Sequence, residues 1–227
     1  MRFFLFIFFL TLLSTSAWAS FDRGKAAYDQ KNWAQAIANL RPAGEGGDAR
    51  AFVLLGNMYL DGMGVVQNPI EAFGLYRRAA LLGNTDAMIA TASLYQQGLG
   101  TARDIKYAIA WFERAARLGS GTAAFFYAAH LYQGSKGAVF DLKSDPVQAY
   151  FWLSIALRNS NTNAAIRSVA TEALQNLEKS IKPEDVSKQQ LLLKDWTPVD
   201  ITDFPQAPED NQSPVPIAGE ETQNNSR

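Results

Sequence analysis

The chain contains no cysteine. That excludes disulfide bracing, a lipid anchor on cysteine, thiol chemistry and cysteine-ligated zinc. It contains one histidine, His130. A lone histidine builds no metal cluster without carboxylates nearby, and none stands at helical spacing around it. Most nucleophile–base pairs are excluded too, though carboxylate pairs are not. No Gly-x-Ser-x-Gly elbow, lysine-bearing phosphate loop or His-Glu-x-x-His helix is present. Charge of either sign is not in excess: 21 Lys and Arg face 22 Asp and Glu, a net −1. The basic surplus of a nucleic-acid binder is therefore missing. Long apolar runs are missing as well. The longest, Phe3 to Leu13, is broken only by Thr11. It falls well short of the roughly 20 residues needed to cross a bilayer.

What is present begins with that run. Arg2 precedes it, and Ala17-Trp18-Ala19 follows with small residues where a signal peptidase reads them. The pattern predicts a cleaved signal over residues 1–19, with Ser20 as the first mature residue. The mature chain is then expected in the periplasm of a Gram-negative source, or secreted. With 48% hydrophobic and 19% charged residues, most of it has the material to bury a core. Without disulfides, packing alone must hold it.

The body repeats itself with a period near 36 residues. Ala51, Gly56, Tyr59, Gly62 and Gly64 recur as Ala87, Ala92, Tyr95, Gly98 and Gly100, then as Ala124, Ala129, Tyr132 and Gly134. The second half of each unit recurs as well. Ala72, Tyr76, Ala79, Ala80 and Gly83 match Ala108, Phe112, Ala115, Ala116 and Gly119, with a looser copy at Ala149, Leu153 and Ala156. Each unit reads as two helices. The first stops at the glycine pair, where a left-handed backbone is easy. The second starts at Asn68-Pro69, Asp104 or Asp145-Pro146, which supply N-caps and a proline that needs no N–H. Tyr59, Tyr95 and Tyr132 are expected to fill gaps between pairs. The third unit departs: Tyr132 to Ala149 is four residues longer than Tyr95 to Ala108, which places an insertion over Ser135 to Lys143.

This pattern resembles the Sel1-like repeat family, related to tetratricopeptide repeats. Residues 51–83 follow it closely and 87–119 well; 124–158 follow it with the insertion and with Ser160 where a closing glycine belongs. The resemblance implies an all-α fold, a right-handed α-solenoid of helix-pair repeats with C-terminal capping helices. The units are expected at about 51–86, 87–121 and 122–160, within a repeat domain over 20–197. A shortened opening unit is expected over 21–47, with Trp33, Ala36, Leu40 and Ala43 on one face. Two closing helices are expected over 163–180 and 183–196, the second opening on Pro183-Glu184-Asp185 and ending at Trp196, as in many exported relatives of the family. Residues 198–227 hold five of the nine prolines and six acidic residues against Arg227. They read as a disordered acidic tail. The tail carries −5 and the mature body +3, so the tail is either a solvated extension, a tether, or a strand that lies back on basic surface.

First helices line the concave face in this repeat class. At 100° per residue, Ala51, Leu55, Met58 and Tyr59 turn inward. Val53, Asn57 and Leu60 turn away, as do Ile89, Ser93 and Gln96, and Phe126, His130 and Gln133. An apolar row with a polar border is the character of a peptide groove, unless the terminal helices cover it. Arg77, Arg78, Glu113, Arg114 and Arg117 are expected on a solvated convex face, with Glu113 and Arg117 paired. Trp111, Phe112, Tyr150, Phe151 and Trp152 are packing.

The partner-binding candidates are therefore Val53, Asn57, Leu60, Ile89, Ser93, Gln96, Phe126 and His130, with no catalytic residue, cofactor or metal expected. The expected role is a periplasmic scaffold that binds another envelope protein. The resemblance implies roles such as modulating a sensor kinase or organising cell-wall or secretion assemblies. Two alternatives stand beside it. One is peptidoglycan or β-lactam binding or hydrolysis; some exported members of the family are associated with penicillin binding, but those are cysteine-rich, as this chain is not. The other is a secreted effector that binds host proteins.

Overall fold

The computed structural model describes residues 20–136 and 141–203. The expected signal at 1–19, residues 137–140 of the insertion and the tail from 204 onward lie outside the described residues. The architecture is all-α, a solenoid of helix pairs. Helix α1 covers residues 20–29. The others are α2 (Trp33–Glu45), α3 (Ala49–Asp61), α4 (Pro69–Leu81), α5 (Thr85–Gln97), α6 (Ile105–Arg117), α7 (Gly121–Gln133), α8 (Pro146–Arg158), α9 (Ala164–Ser180) and α10 (Pro183–Asp195). A two-residue hairpin, β1 (Ser135–Lys136) and β2 (Asp141–Leu142), occupies the insertion, with Ser135 opposite Leu142.

The caps set these lengths. Asn68 and Asp145 each accept a hydrogen bond from the backbone N–H three residues on, that of Glu71 or Gln148, and Asp104 accepts from Lys106 and Tyr107. Gly62, Gly64, Gly98 and Gly100 all have positive φ, between 71° and 74°, so the first helix of each regular pair stops in the left-handed backbone.

The described residues form two compact units, 20–87 with 98–102, and 88–97 with 103–203. In the first unit Ala36, Leu40, Ala51, Met58, Phe73 and Ala79 are buried. Gly56 sits so close to α4 that an added Cβ would lie 2.8 Å from the Tyr76 ring. Gly100 lies against the start of α4, where a Cβ would come 2.0 Å from the Pro69 carbonyl oxygen. The opening pair is α1 and α2, and Ser20 Oγ ties α1 to α2 by donating to the Asn39 carbonyl at 2.7 Å. Trp33 is only half-buried, edge-on to Tyr28.

In the second unit the regular core runs through Tyr95, Trp111, Phe112, Ala124, Tyr150 and Ile155. The closing helices are held by polar clamps. Arg167 of α9 forks onto the carbonyls of Leu157 and Asn159 at 2.6 and 2.8 Å, capping α8. The Tyr150 hydroxyl donates to Glu178 and accepts from Gln190, joining α8 to α9 and α10. Trp196 meets Trp152 edge-on.

Three sequence expectations change. Arg114, expected in solvent, is 6% exposed, and burial pushes its pKa down; Arg77 and Arg78 are half-buried, Arg78 with its guanidinium 4.6 Å from the Phe52 ring centroid. Long arginine stems cover apolar surface, and a helix row assigned by charge alone misses this. Of the three gap-filling tyrosines only Tyr95 is buried; Tyr59 is half-buried and Tyr132 is 56% exposed. The body also does not end at 197. The Val199 N–H donates to the Arg117 carbonyl at 3.0 Å, Pro198 covers Gly119, and Ile201–Asp203 form a 3-10 turn. Glu113 and Arg117 do pair, at 2.7 Å.

Candidate partner-binding surface

The expected row divides between the two units, and each part has its own chemistry. In the first unit Val53, Asn57 and Leu60 are half-buried. Asn57 is engaged: the Tyr76 hydroxyl donates to its side-chain oxygen at 2.6 Å. Burial pushes the Tyr76 pKa up, so that hydroxyl keeps its proton and remains a donor.

In the second unit Ile89 and Ser93 are half-buried and Gln96 is exposed. Ser93 bonds back to its own helix at the Ile89 carbonyl. The reason is visible in the repeat: Phe112 stands where Tyr76 stood and offers no hydroxyl. Phe126 and His130 are half-buried, and both stack on the Phe112 ring, with centroids 5.2 and 5.8 Å away. Desolvation lowers the His130 pKa and favours the neutral ring. Phe126 and His130 thus contribute to packing between α6 and α7 as well as to the surface.

A concavity of the second unit lies one residue round α7 from that row. A cleft of about 390 Å3 separates α7 from α9. Phe125, Ala129 and Tyr132 line one wall; Val169, Ala173 and Asn176 line the other. Each set follows helical spacing, so each wall is one face of a helix. Ala128 and Leu153 contribute to the lining, and Gln133 and Glu172 add polar groups. The rim is apolar and open, since Tyr132 is 56% and Val169 54% exposed.

The insertion accounts for the open rim. In the two regular units the N–H of the next cap residue donates to the tyrosine carbonyl, Asn68 to Tyr59 and Asp104 to Tyr95. In the third, Asp145 donates to Leu131, one residue earlier, and Ser144 Oγ takes the Tyr132 carbonyl. Whereas the Tyr95 ring meets Tyr107 of the next helix at 5.4 Å, Tyr132 turns outward. None of the eight partner-binding candidates lines the cleft; of the outward-turned row only Gln133 does. The wheel singled out 126, 130 and 133; the cleft uses 125, 129 and 132, one step of 100° away. The Phe125, Ala129, Tyr132 spacing and the departure at the insertion were the available signals.

Among the described residues no group of three His, Cys, Asp or Glu side chains is placed to hold a metal, and no helix is long and apolar enough to cross a membrane.

Comparison with known families matches three consecutive Sel1 repeats, at residues 51–84, 85–120 and 121–161. The chain is a Sel1-repeat protein. The matched repeats coincide with the α3–α4, α5–α6 and α7–α8 pairs. Among solved structures the chain is similar to a Sel1 repeat protein from Oxalobacter formigenes, with a TM-score of 0.62 and 23% identity over 80% of this chain and 74% of that one. It is also similar to a protective antigen of uropathogenic Escherichia coli strains that displays an SLR fold, with a TM-score of 0.50 and 20% identity over 78% of this chain. The match spans 44% of that antigen. At these identities the likeness is one of fold. No curated protein matched in sequence. Sel1 repeats are generally scaffolds for protein–protein interaction, and the family fold is non-catalytic.

Proposed function

We propose that this Sel1-repeat protein is an exported, non-catalytic scaffold that holds another protein of the cell envelope on the surface of its second unit. Export is supported by Arg2, the Phe3–Leu13 run and Ala17-Trp18-Ala19. Binding is supported by one observation above others: an apolar cleft between two helices, with an aromatic residue and a valine left more than half exposed at its rim. Exposed apolar surface of this kind, bordered by polar groups, marks interaction sites in soluble proteins. Gln96 and the half-buried Ile89 and Ser93 extend the candidate surface onto α5.

The test uses intact cells. A photo-crosslinking amino acid placed at Tyr132 should give a defined adduct with one envelope protein, and one at the exposed Lys106 of α6 should not. Fractionation should recover the chain from the periplasm without residues 1–19. Absence of an adduct at Tyr132, or an identical pattern at Lys106, overturns the binding reading. Retention of residues 1–19 or recovery from the cytoplasm overturns export. Turnover of muropeptides or β-lactams by the purified chain would overturn the non-catalytic assignment.

A further inference from the structure

The cleft between α7 and α9 has a charge pattern as well as a shape. Its lining is mostly apolar, with Phe125, Ala129, Leu153 and Ala173 among it. Three polar side chains border it: Gln133, Glu172 and Asn176. None makes a hydrogen bond or ion pair among the described residues. Most other conspicuous polar groups at this end are engaged. Arg167 is spent on the end of α8, Glu178 on Tyr150, and Ser144 on the Tyr132 carbonyl. Helix α7 carries no Asp, Glu, Lys or Arg. Glu172 is therefore the one carboxylate of the lining, and no lysine or arginine of the lining answers it.

The dimensions limit the occupant. Phe125 to Tyr132 and Val169 to Asn176 each span seven residue steps, or about 10 Å of helix. A cleft two turns long, with both walls made of helix faces, seats a short segment rather than a folded domain. Such grooves are read by anchors one turn apart.

We propose that the α7–α9 cleft binds a linear segment of a partner protein that carries two apolar anchors and a lysine or arginine, the cation facing Glu172. This rests on the protein-binding reading above and gives its partner a chemistry. The apolar anchors enter between Phe125, Tyr132 and Val169. Asn176 and Gln133 take backbone or side-chain polar groups. An acidic segment is repelled, so the chain's own tail, with Asp200, Asp203, Glu209, Asp210, Glu220 and Glu221, is a poor occupant.

A random dodecapeptide display library, selected on the full mature chain, tests this. Peptides recovered should share two bulky apolar residues and a Lys or Arg. Glu172→Lys, at an exposed site, should leave folding intact. It should weaken the basic peptides about fivefold, an effect that shrinks as salt rises, since a rim charge pair is worth under about 1 kcal/mol in either sense. Ala129→Leu with Ala173→Leu fills the cleft and should abolish binding; circular dichroism reports whether this second variant folds. Peptides without a basic residue, or with affinity indifferent to Glu172→Lys, overturn the charge assignment while a Tyr132 adduct in cells keeps the binding reading. Peptides that bind the filled variant unchanged overturn the cleft itself. Failure to enrich any peptide overturns this inference, and joined with the loss of the Tyr132 adduct it overturns both.

Discussion

Residues 51–83 and residues 124–158 follow one repeat pattern, yet they end as different surfaces. In the first, Gly56 admits the Tyr76 ring, Tyr76 donates to Asn57, and the Asn68 N–H closes on the Tyr59 carbonyl. In the third, Ala129 replaces the glycine, Leu153 replaces the tyrosine, His130 replaces the asparagine, and Tyr132 is left at the rim of a cleft. The middle repeat shows an intermediate solution, with Phe112 and with Ser93 turned back on its own helix. Each loss of the hydroxyl comes with a change of its acceptor, so the exchange strands no buried polar atom at Ser93 or His130. What differs is closure. The regular copy is pinned at its helix ends by glycine contacts. The third is spread by four inserted residues and followed by α9, which buries only Ala170 and Leu177. A repeat supplies a rigid frame; the place where it departs from regularity supplies the exposed apolar surface.

The strongest way to break this contrast is at the tight end. Gly100 has a φ of 74°, and any Cβ there would strike the Pro69 carbonyl. Gly100→Val should cost about 3 kcal/mol or more, since a left-handed β-branched residue adds its own strain to the clash. Gly47 is the control: its φ is 94°, but no atom lies within 4 Å of an added Cβ. Gly47→Ala should cost only about 1 kcal/mol. Chemical denaturation of both variants measures the difference. Equal losses would show that backbone strain alone, not the contact with α4, matters at the glycine pair.

A second comparison exchanges the residues that distinguish the copies. Gly56→Ala should cost about 1–3 kcal/mol, because the Tyr76 ring has to yield. Ala129→Gly, the reverse change in the third copy, should cost about 0.5–1 kcal/mol through helix propensity alone. If Ala129→Gly proves as costly as Gly56→Ala, then the third copy is packed as tightly as the first, and the cleft is not a looser region.

The hydroxyl exchange gives a smaller effect. Tyr76→Phe removes the donor to Asn57 and should cost about 1 kcal/mol. Adding Asn57→Ser rebuilds the Phe and Ser pairing of the middle repeat and should recover part of that loss. A double-mutant cycle by urea melts should give a coupling of about 0.5–1 kcal/mol. Strict additivity would mean that the hydrogen bond contributes nothing to the match.

The frame was legible in the sequence because its determinants are local. Asn68, Asp104 and Asp145 cap the helices they precede, and the glycines after α3 and α5 turn left-handed, through interactions within a few residues. The surface was less legible because it depends on rotation and on neighbours distant in sequence. A helical wheel places Phe126 outward, but Phe112, fourteen residues earlier, stacks on it and leaves Phe125 to face α9. Arg114 reads as a solvent residue by charge and is buried by its packing. The cleft needs α9, which belongs to no matched repeat and whose Val169, Ala173 and Asn176 face has no counterpart in the regular units. The first residues past Trp196 read as tail by composition, while the single bond from Val199 to Arg117 fixes them to the body.

The smallest predicted effect bears on how far the third copy has moved from the first. His130 occupies the Asn57 position but stacks on Phe112, and desolvation lowers its pKa. An unfolded chain takes up a proton on histidine near pH 6.5. The folded chain resists until a lower pH, so it binds fewer protons in that window and loses stability as pH falls. From about pH 7.5 upward, a unit above the unfolded value, both states are essentially neutral and the group contributes no pH dependence. The melting temperature of the wild-type chain should therefore fall by about a degree or two between pH 7.5 and 5.5 relative to His130→Phe, which keeps the ring stack and cannot titrate. His130→Asn, which restores the residue of the first copy, should show the same flat profile but a lower melting temperature at every pH, because the stack is lost while Leu153 offers no hydroxyl in return. Parallel slopes for wild type and His130→Phe would mean that the imidazole is already solvated, and that the α7 surface is open on the Phe126 side as well as at the cleft.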